Sequence, residues 1–261
     1  MNRREMSVGG SFYPRSCEEV EHYLEVFNTK SPVNVKKVKA RAMISPHAGY
    51  IYSGFTANMA YRALDASQIK RVVIIGPSHR IYFRGASVAL FDSYASPCQE
   101  MKIDLDYSKA LVQKHDILSF ENSAHQEHST ETQIPFIEHY FNVVELVEIV
   151  YGDLRYTDLI PIINEILEDE ENFLVISTDL SHFHDLKKAN TLDGICSKAV
   201  KNMDLSLFDK GCEACGMIGV KAMIHVAKDR GLNTELMDYR TSFDASSDAS
   251  SVVGYLSALV G

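Results

Sequence analysis

Three histidines stand just past short apolar runs, in Ser45-Pro46-His47-Ala48-Gly49-Tyr50, Gly76-Pro77-Ser78-His79 and Ser177-Thr178-Asp179-Leu180-Ser181-His182. Imidazole is the commonest metal ligand in proteins and the side chain that titrates near neutral pH. In the first two segments a proline stiffens the turn and pre-orients the ring that follows. His47 and His79 are thus candidate ligands for one metal ion. Their spacing matches neither a zinc finger nor a His-Glu-x-x-His helix, so spacing alone does not separate ligands from ordinary loop histidines.

Cys212-Glu213-Ala214-Cys215 has several readings. A structural zinc site would need two more ligands, and the sequence holds no second Cys-x-x-Cys. A redox dithiol would place its reactive Cys at a helix start; Cys215 stands there, and the helix N-terminus would lower its pKa. Cys215 can also act as a soft third ligand beside His47 and His79. The plain alternative is a pair of small buried thiols.

Further candidates cluster nearby. His125, Glu127, His128 and Glu131 precede an expected helix over 131–141, for which Thr130 and Gln133 form a possible capping box. His128 is a possible fourth contributor to the site. Tyr50 and Tyr52, beside His47, offer either a hydroxyl to a pocket or aromatic packing under a loop.

The elements that would position these residues alternate between strand and helix. Ala42-Met43-Ile44, Arg71 to Ile75, Val143 to Tyr151 and Phe173 to Ile176 are short continuous apolar runs, the pattern of strands buried on both faces. Helices are expected from the Ser16–Glu19 capping pattern onward, from near Gly54, over 156–168 and 186–202, and past Cys215. A final apolar strand spans Val252 to Val260. This order predicts one α/β domain over 1–261, a mostly parallel central sheet flanked by helices. In such sheets ligands bind outside the carboxyl ends of the strands, where all three histidines fall.

Composition narrows the partners. The chain of 261 residues is 46% hydrophobic and carries a formal charge of −9. Lys36-Lys37-Val38-Lys39, its densest basic run, is too short for a phosphate-binding footprint, which argues against nucleic acid. The stretch from Ala42 to Tyr61 lacks charge but holds Pro46, His47, Gly49, Gly54 and Asn58, so it does not read as a membrane span. Five cysteines and no signal-peptide pattern point to reduced thiols in a cytoplasm.

Together these motifs resemble the Memo family, whose bacterial and archaeal members are often called AmmeMemoRadiSam system protein B. The likeness runs from Gly10-Ser11-Phe12-Tyr13-Pro14 through Pro46-His47-Ala48-Gly49-Tyr50, Gly76-Pro77-Ser78-His79, Glu127-His128-Ser129, Ser177-Thr178-Asp179 and Cys215-Gly216 to Ser250-Ser251-Val252. It implies a fold similar to class III extradiol dioxygenases, in which two His and one Glu hold Fe(II) and leave room for a catechol and O₂. By that resemblance His47, His79 and Cys215 hold one transition metal per chain, Fe(II) or Cu foremost and Zn as an alternative. His182 is the acid/base and Asp179 its orienter or a substrate contact, with His128 and Tyr52 beside the pocket.

A thiolate in place of the dioxygenase carboxylate is softer and itself oxidisable. The implied activity is a metal-dependent oxidoreductase acting on a small aromatic or peptide ligand. The alternatives are a metal- or partner-holding accessory, in keeping with the family's pairing with radical-SAM proteins, and a zinc hydrolase.

Overall fold

A computed structural model of the chain describes residues 2–31 and 35–261. Nine strands form one sheet, in the order His182–His184, Val252–Val260, Ala42–Ser45, Asn172–Ser177, Arg71–Pro77, Glu145–Tyr151, Ala86–Val88 and Leu118–Ser119; Thr234–Thr241 also pairs with Val252–Val260. The four strands from Ala42–Ser45 to Glu145–Tyr151 are mutually parallel. They are the parallel sheet expected from the apolar runs. Antiparallel strands extend it on both sides.

The runs adopt this place because almost every residue in them is buried. Each fully buried Val, Ile or Leu contributes about 1.5–3 kcal/mol of transfer free energy. Helices cover both faces. Tyr156–Ile166, Leu186–Asn202 and Met217–Asp229 pack into one core, while Cys17–Lys30, Tyr50–Ala63 and Ile134–Tyr140 pack into the other.

Register does the positioning. Ser45 pairs with Ser177, Ile75 with Ile176, and Pro77 with Tyr151. The carboxyl ends of all four central strands therefore emerge side by side, and whatever follows them shares one edge.

Several expectations are corrected. The helix expected near Gly54 begins at Tyr50. The segment before 141 is two helices, His128–Glu131 and Ile134–Tyr140, the second carrying Pro135 in its first turn. Glu127, not Thr130, caps the first of them. The cysteines are not all reduced: Cys17 is bonded to Cys98 and Cys196 to Cys212, leaving Cys215 free. Partners 81 residues apart in sequence could not have been matched from spacing. Among the described residues no helix is long and apolar enough to cross a membrane.

Candidate metal centre

His47 is held at two points. Its amide donates to Asp179 Oδ1 at 2.8 Å, and its Nδ1 lies 2.9 Å from Ser177 Oγ. Ser177 donates its one proton to the Ser129 carbonyl and accepts from Gln133 Nε2. Toward His47 it is therefore an acceptor, which assigns the imidazole proton to Nδ1 and leaves the Nε2 lone pair free. That Nε2 faces Cys215 Sγ at 3.3 Å. Burial, reinforced by His79 and His128, holds the His47 pKa well below its ordinary value, so the ring is neutral and able to ligate.

Glu127 organises the second group. Fully buried, it accepts from the His79 amide at 2.6 Å, from His79 Nδ1 at 3.2 Å and from His128 Nδ1 at 2.8 Å. Burial opposes its ionisation, but the hydrogen bonds from His128 and His79 outweigh it and hold the carboxyl well below the usual range. Both rings thus present Nε2 outward, the arrangement by which a buried carboxylate orients metal-binding imidazoles. The ring centroids of His47, His79 and His128 lie 4.5–5.3 Å apart.

Cys215 arrives from the far side of the sheet edge, on the turn before helix Met217–Asp229. The Asp179 amide donates to its sulfur at 3.2 Å, and the Gly216 amide donates to Thr178 Oγ1 at 2.8 Å. Gly216 makes this approach possible. A Cβ there would lie 2.5 Å from Thr178 Cβ and 2.6 Å from the Ser177 carbonyl oxygen. The expected lowering of the thiol pKa is overturned. Burial first, then the Asp179 carboxylate, pushes it up to about 12.

Does this set fit a metal? Nitrogen and sulfur bound to a tetrahedral ion at about 2.0–2.3 Å stand roughly 3.6 Å apart. His47 Nε2 and Cys215 Sγ are 3.3 Å apart, and one donor atom from each of His47, His79 and Cys215 lies within 4.8 Å of the others. The donors fit one ion, whose charge would offset the cost of deprotonating the thiol. His79, Glu127 and His128 also cluster. There the carboxylate is already engaged beneath both rings, so it reads as their orienter.

Asp179 is nearly buried, and burial raises its pKa. Its hydrogen bonds go to the His47 and Ala48 amides. The expected orienting bond from Asp179 to His182 is not among the hydrogen bonds of the described residues. His182 begins a short strand paired with Val253, half-buried and close enough for its charge to act on both His47 and Asp179.

Of the two tyrosines, Tyr50 is aromatic packing, its ring tilted against Phe136 at 4.7 Å between centroids and its hydroxyl donating to the Thr132 carbonyl. Tyr52 is 43% exposed. A cavity of about 500 Å³ opens at His79 and Cys215, lined also by Arg80, Tyr82, Tyr151 and Ile218. A larger groove, about 700 Å³, lies between the Gly10–Arg15 loop and helix Cys17–Lys30 and includes none of the three donors.

Sequence reasoning missed Ser177, Gln133 and Tyr151. Gln133 was assigned to a cap, yet its amide braces the Pro46 carbonyl and Ser177. Glu127 enters the sequence reading in a crowded segment and in the motif Glu127-His128-Ser129, without a role of its own; its place directly before His128 is the available signal.

Residues 4–259 match the family model described as Memo-like protein. Relatives called MEMO1 family proteins include one from Aquifex aeolicus, 31% identical with 98% of each chain covered, and one from Thermoplasma acidophilum, 32% identical with 98% of this chain and 97% of the other covered. An uncharacterized protein, JW3007, from Escherichia coli K12 shares the fold at a TM-score of 0.54 and 12% identity, over 84% of this chain and 99% of that one. With the family model spanning almost the whole sequence and relatives matched end to end, this chain belongs to the Memo family.

Proposed function

We propose that this protein is a metal-dependent oxidoreductase holding one iron or copper ion on His47, His79 and Cys215. The convergence of these three donors carries the reading. His47 and His79 follow two separate strand ends and Cys215 precedes a helix, yet their donor atoms lie within 4.8 Å of one another beside an open cavity. When bound, a redox-active ion of this kind would supply one-electron chemistry and a coordination position for substrate.

The chain's own residues supply the rest. Ser177 and Glu127 fix the imidazole tautomers, the Asp179 amide donates to the sulfur, and Asp179 anchors the His47 loop. His182, half-buried at the same edge, is the proton carrier in this reading. The substrate class is a small aromatic or peptide ligand able to enter a cavity of about 500 Å³.

Anaerobic reconstitution with Fe(II) or Cu(I), elemental analysis, then oxygen uptake against phenols and catechols tests this. One iron or copper per chain with turnover is expected. Zinc at one per chain, with hydrolysis and no oxygen uptake, would replace it with the hydrolase reading.

A second reading, a metal-holding accessory to a partner such as a radical-SAM protein, is favoured by one observation. Asp179 spends its hydrogen bonds on the His47 loop and gives His182 none. Metal bound tightly with no turnover on any compound would favour it.

A further inference from the structure

We propose that the Tyr151 hydroxyl donates a hydrogen bond to a small anionic ligand seated in the cavity between His79 and Cys215. This rests on the metal-binding reading above and adds to it the group that would recognise what binds beside the ion.

Tyr151 is the last residue of its strand and is in register with Pro77, so it emerges at the edge that delivers His79. It is 3% exposed, and among the described residues nothing accepts its buried hydroxyl proton, while the Gly219 amide donates to the hydroxyl oxygen. Buried hydroxyls in folded proteins are almost always paired, because an unpaired one has surrendered water and gained nothing. Ser45, Ser181 and Ser257 are also unpartnered, but they do not line this cavity, and a serine hydroxyl swings freely about its short side chain. The Tyr151 hydroxyl is carried at the end of a rigid ring that packs over Gly219, where an added Cβ would lie 3.5 Å from Cε1.

The same cavity is lined by His79, Cys215 and Arg80. Tyrosine at neutral pH is a donor, and Arg80, which makes no ion pair among the described residues, adds positive charge at the rim. Asp153, the carboxylate on this wall, is already engaged by the Tyr82 hydroxyl at 3.0 Å. A donor inside and a cation at the rim select a ligand whose coordinating atom is negatively charged, such as a phenolate or carboxylate.

The test uses the full chain loaded with Co(II), with azide as the anionic probe, titrated through the visible spectrum of the ion. Tyr151→Phe keeps every ring carbon in place, and its Co(II) stoichiometry reports that the fold and the ligands survive. Azide is expected to bind the loaded variant about tenfold more weakly than the loaded wild type, with Co(II) affinity unchanged. Equal azide affinities in the two loaded proteins, or no azide binding to the loaded wild type, would overturn the role of Tyr151 alone. A wild type that takes up no Co(II) would overturn the metal reading and this inference with it.

Discussion

His47 Nε2 stands 3.3 Å from Cys215 Sγ, although 168 residues of chain separate the two. The sheet closes that distance. His47 follows the strand Ala42–Ser45, and Cys215 is laid against the neighbouring strand end by contacts to Thr178 and Asp179. Parallel pairing of Ser45 with Ser177 puts both attachments at one level. The donor geometry is therefore a property of the core, and disturbing the core edge should disturb the proposed metal site.

Cys215→Ser is the direct probe. The hydroxyl is a harder and far less acidic donor than the thiol, and the bond it could form to a borderline-soft ion is weaker. Loss of an orienting partner typically costs ~10–100-fold in metal affinity, and loss of a ligand should exceed ~100-fold. Competitive titration with a chromophoric chelator measures it. Unchanged affinity would remove Cys215 from the ligand set.

Glu127→Gln keeps the shape but halves the acceptors beneath two imidazoles. His79 Nδ1 and His128 Nδ1 both turn to this carboxylate, as do the His79 and Ser129 amides. The amide cannot accept from all four. Metal affinity should fall about 10–100-fold, and the apo protein should lose about 1–3 kcal/mol from the donors left unmet. Denaturant titration of the apo protein alongside metal titration separates the two effects.

The strand ends and their histidines were legible in the sequence because both signals are local. An apolar run followed by Pro and His announces itself within six residues. The third donor was ambiguous because nothing near Cys215 says which strand end it meets. Its relation to Thr178 exists only in the folded chain, through the Gly216 amide. Ser177 was invisible for the same reason: a serine closing a strand carries no sign that three partners will converge on it. The disulfides escaped because pairing is a fact of distance, and reasoning from compartment alone argued for thiols.

Cysteine pairing gives a count that can be checked. Unfolded without reductant, the protein should react with one thiol reagent per chain, at Cys215, and with five after reduction. Chain-entropy arguments give the bridges unequal weight. Removing Cys17–Cys98, which closes 81 residues, should cost about 4.5 kcal/mol, and removing Cys196–Cys212, which closes 16, about 3 kcal/mol. Paired Cys→Ala variants compared by urea unfolding test the order. Five reactive thiols before reduction would show the chain to be fully reduced.

Acid should unfold the apo protein through Glu131. This buried carboxylate accepts from Arg4, the Ser7 and Val8 amides and the Tyr13 hydroxyl, so it anchors the N-terminal loop. Burial opposes its ionisation, yet Arg4 and these hydrogen bonds lower its pKa in the folded state. A lowered folded pKa means the stabilisation is complete above the unfolded value, near 4.3, and is lost as pH falls through the folded one. Melting temperature should hold steady above about pH 5 and drop steeply below about pH 4, with a shallower drop in Glu131→Gln. Arg4→Met should cost about 3–5 kcal/mol at neutral pH by leaving the carboxylate buried without its counter-charge. A flat acid profile in the wild type would contradict this.

Gly216→Ala asks whether one methyl group can disable the centre without touching a ligand. The glycine has ordinary negative φ, so the backbone itself tolerates alanine. Space does not: the added carbon would meet Thr178 Cβ at 2.5 Å and the Ser177 oxygen at 2.6 Å. Both belong to buried backbone or β-branched side chain at the end of a central strand, and neither can swing away. The turn carrying Cys215 must move outward, which breaks the Gly216–Thr178 bond and carries the sulfur from His47. Overpacking of this kind costs about 1–3 kcal/mol, and metal affinity should fall at least as far as in Glu127→Gln. Metal titration against thermal melting decides the matter. A variant that melts lower but binds metal as tightly as wild type would show that Cys215 does not need this close approach.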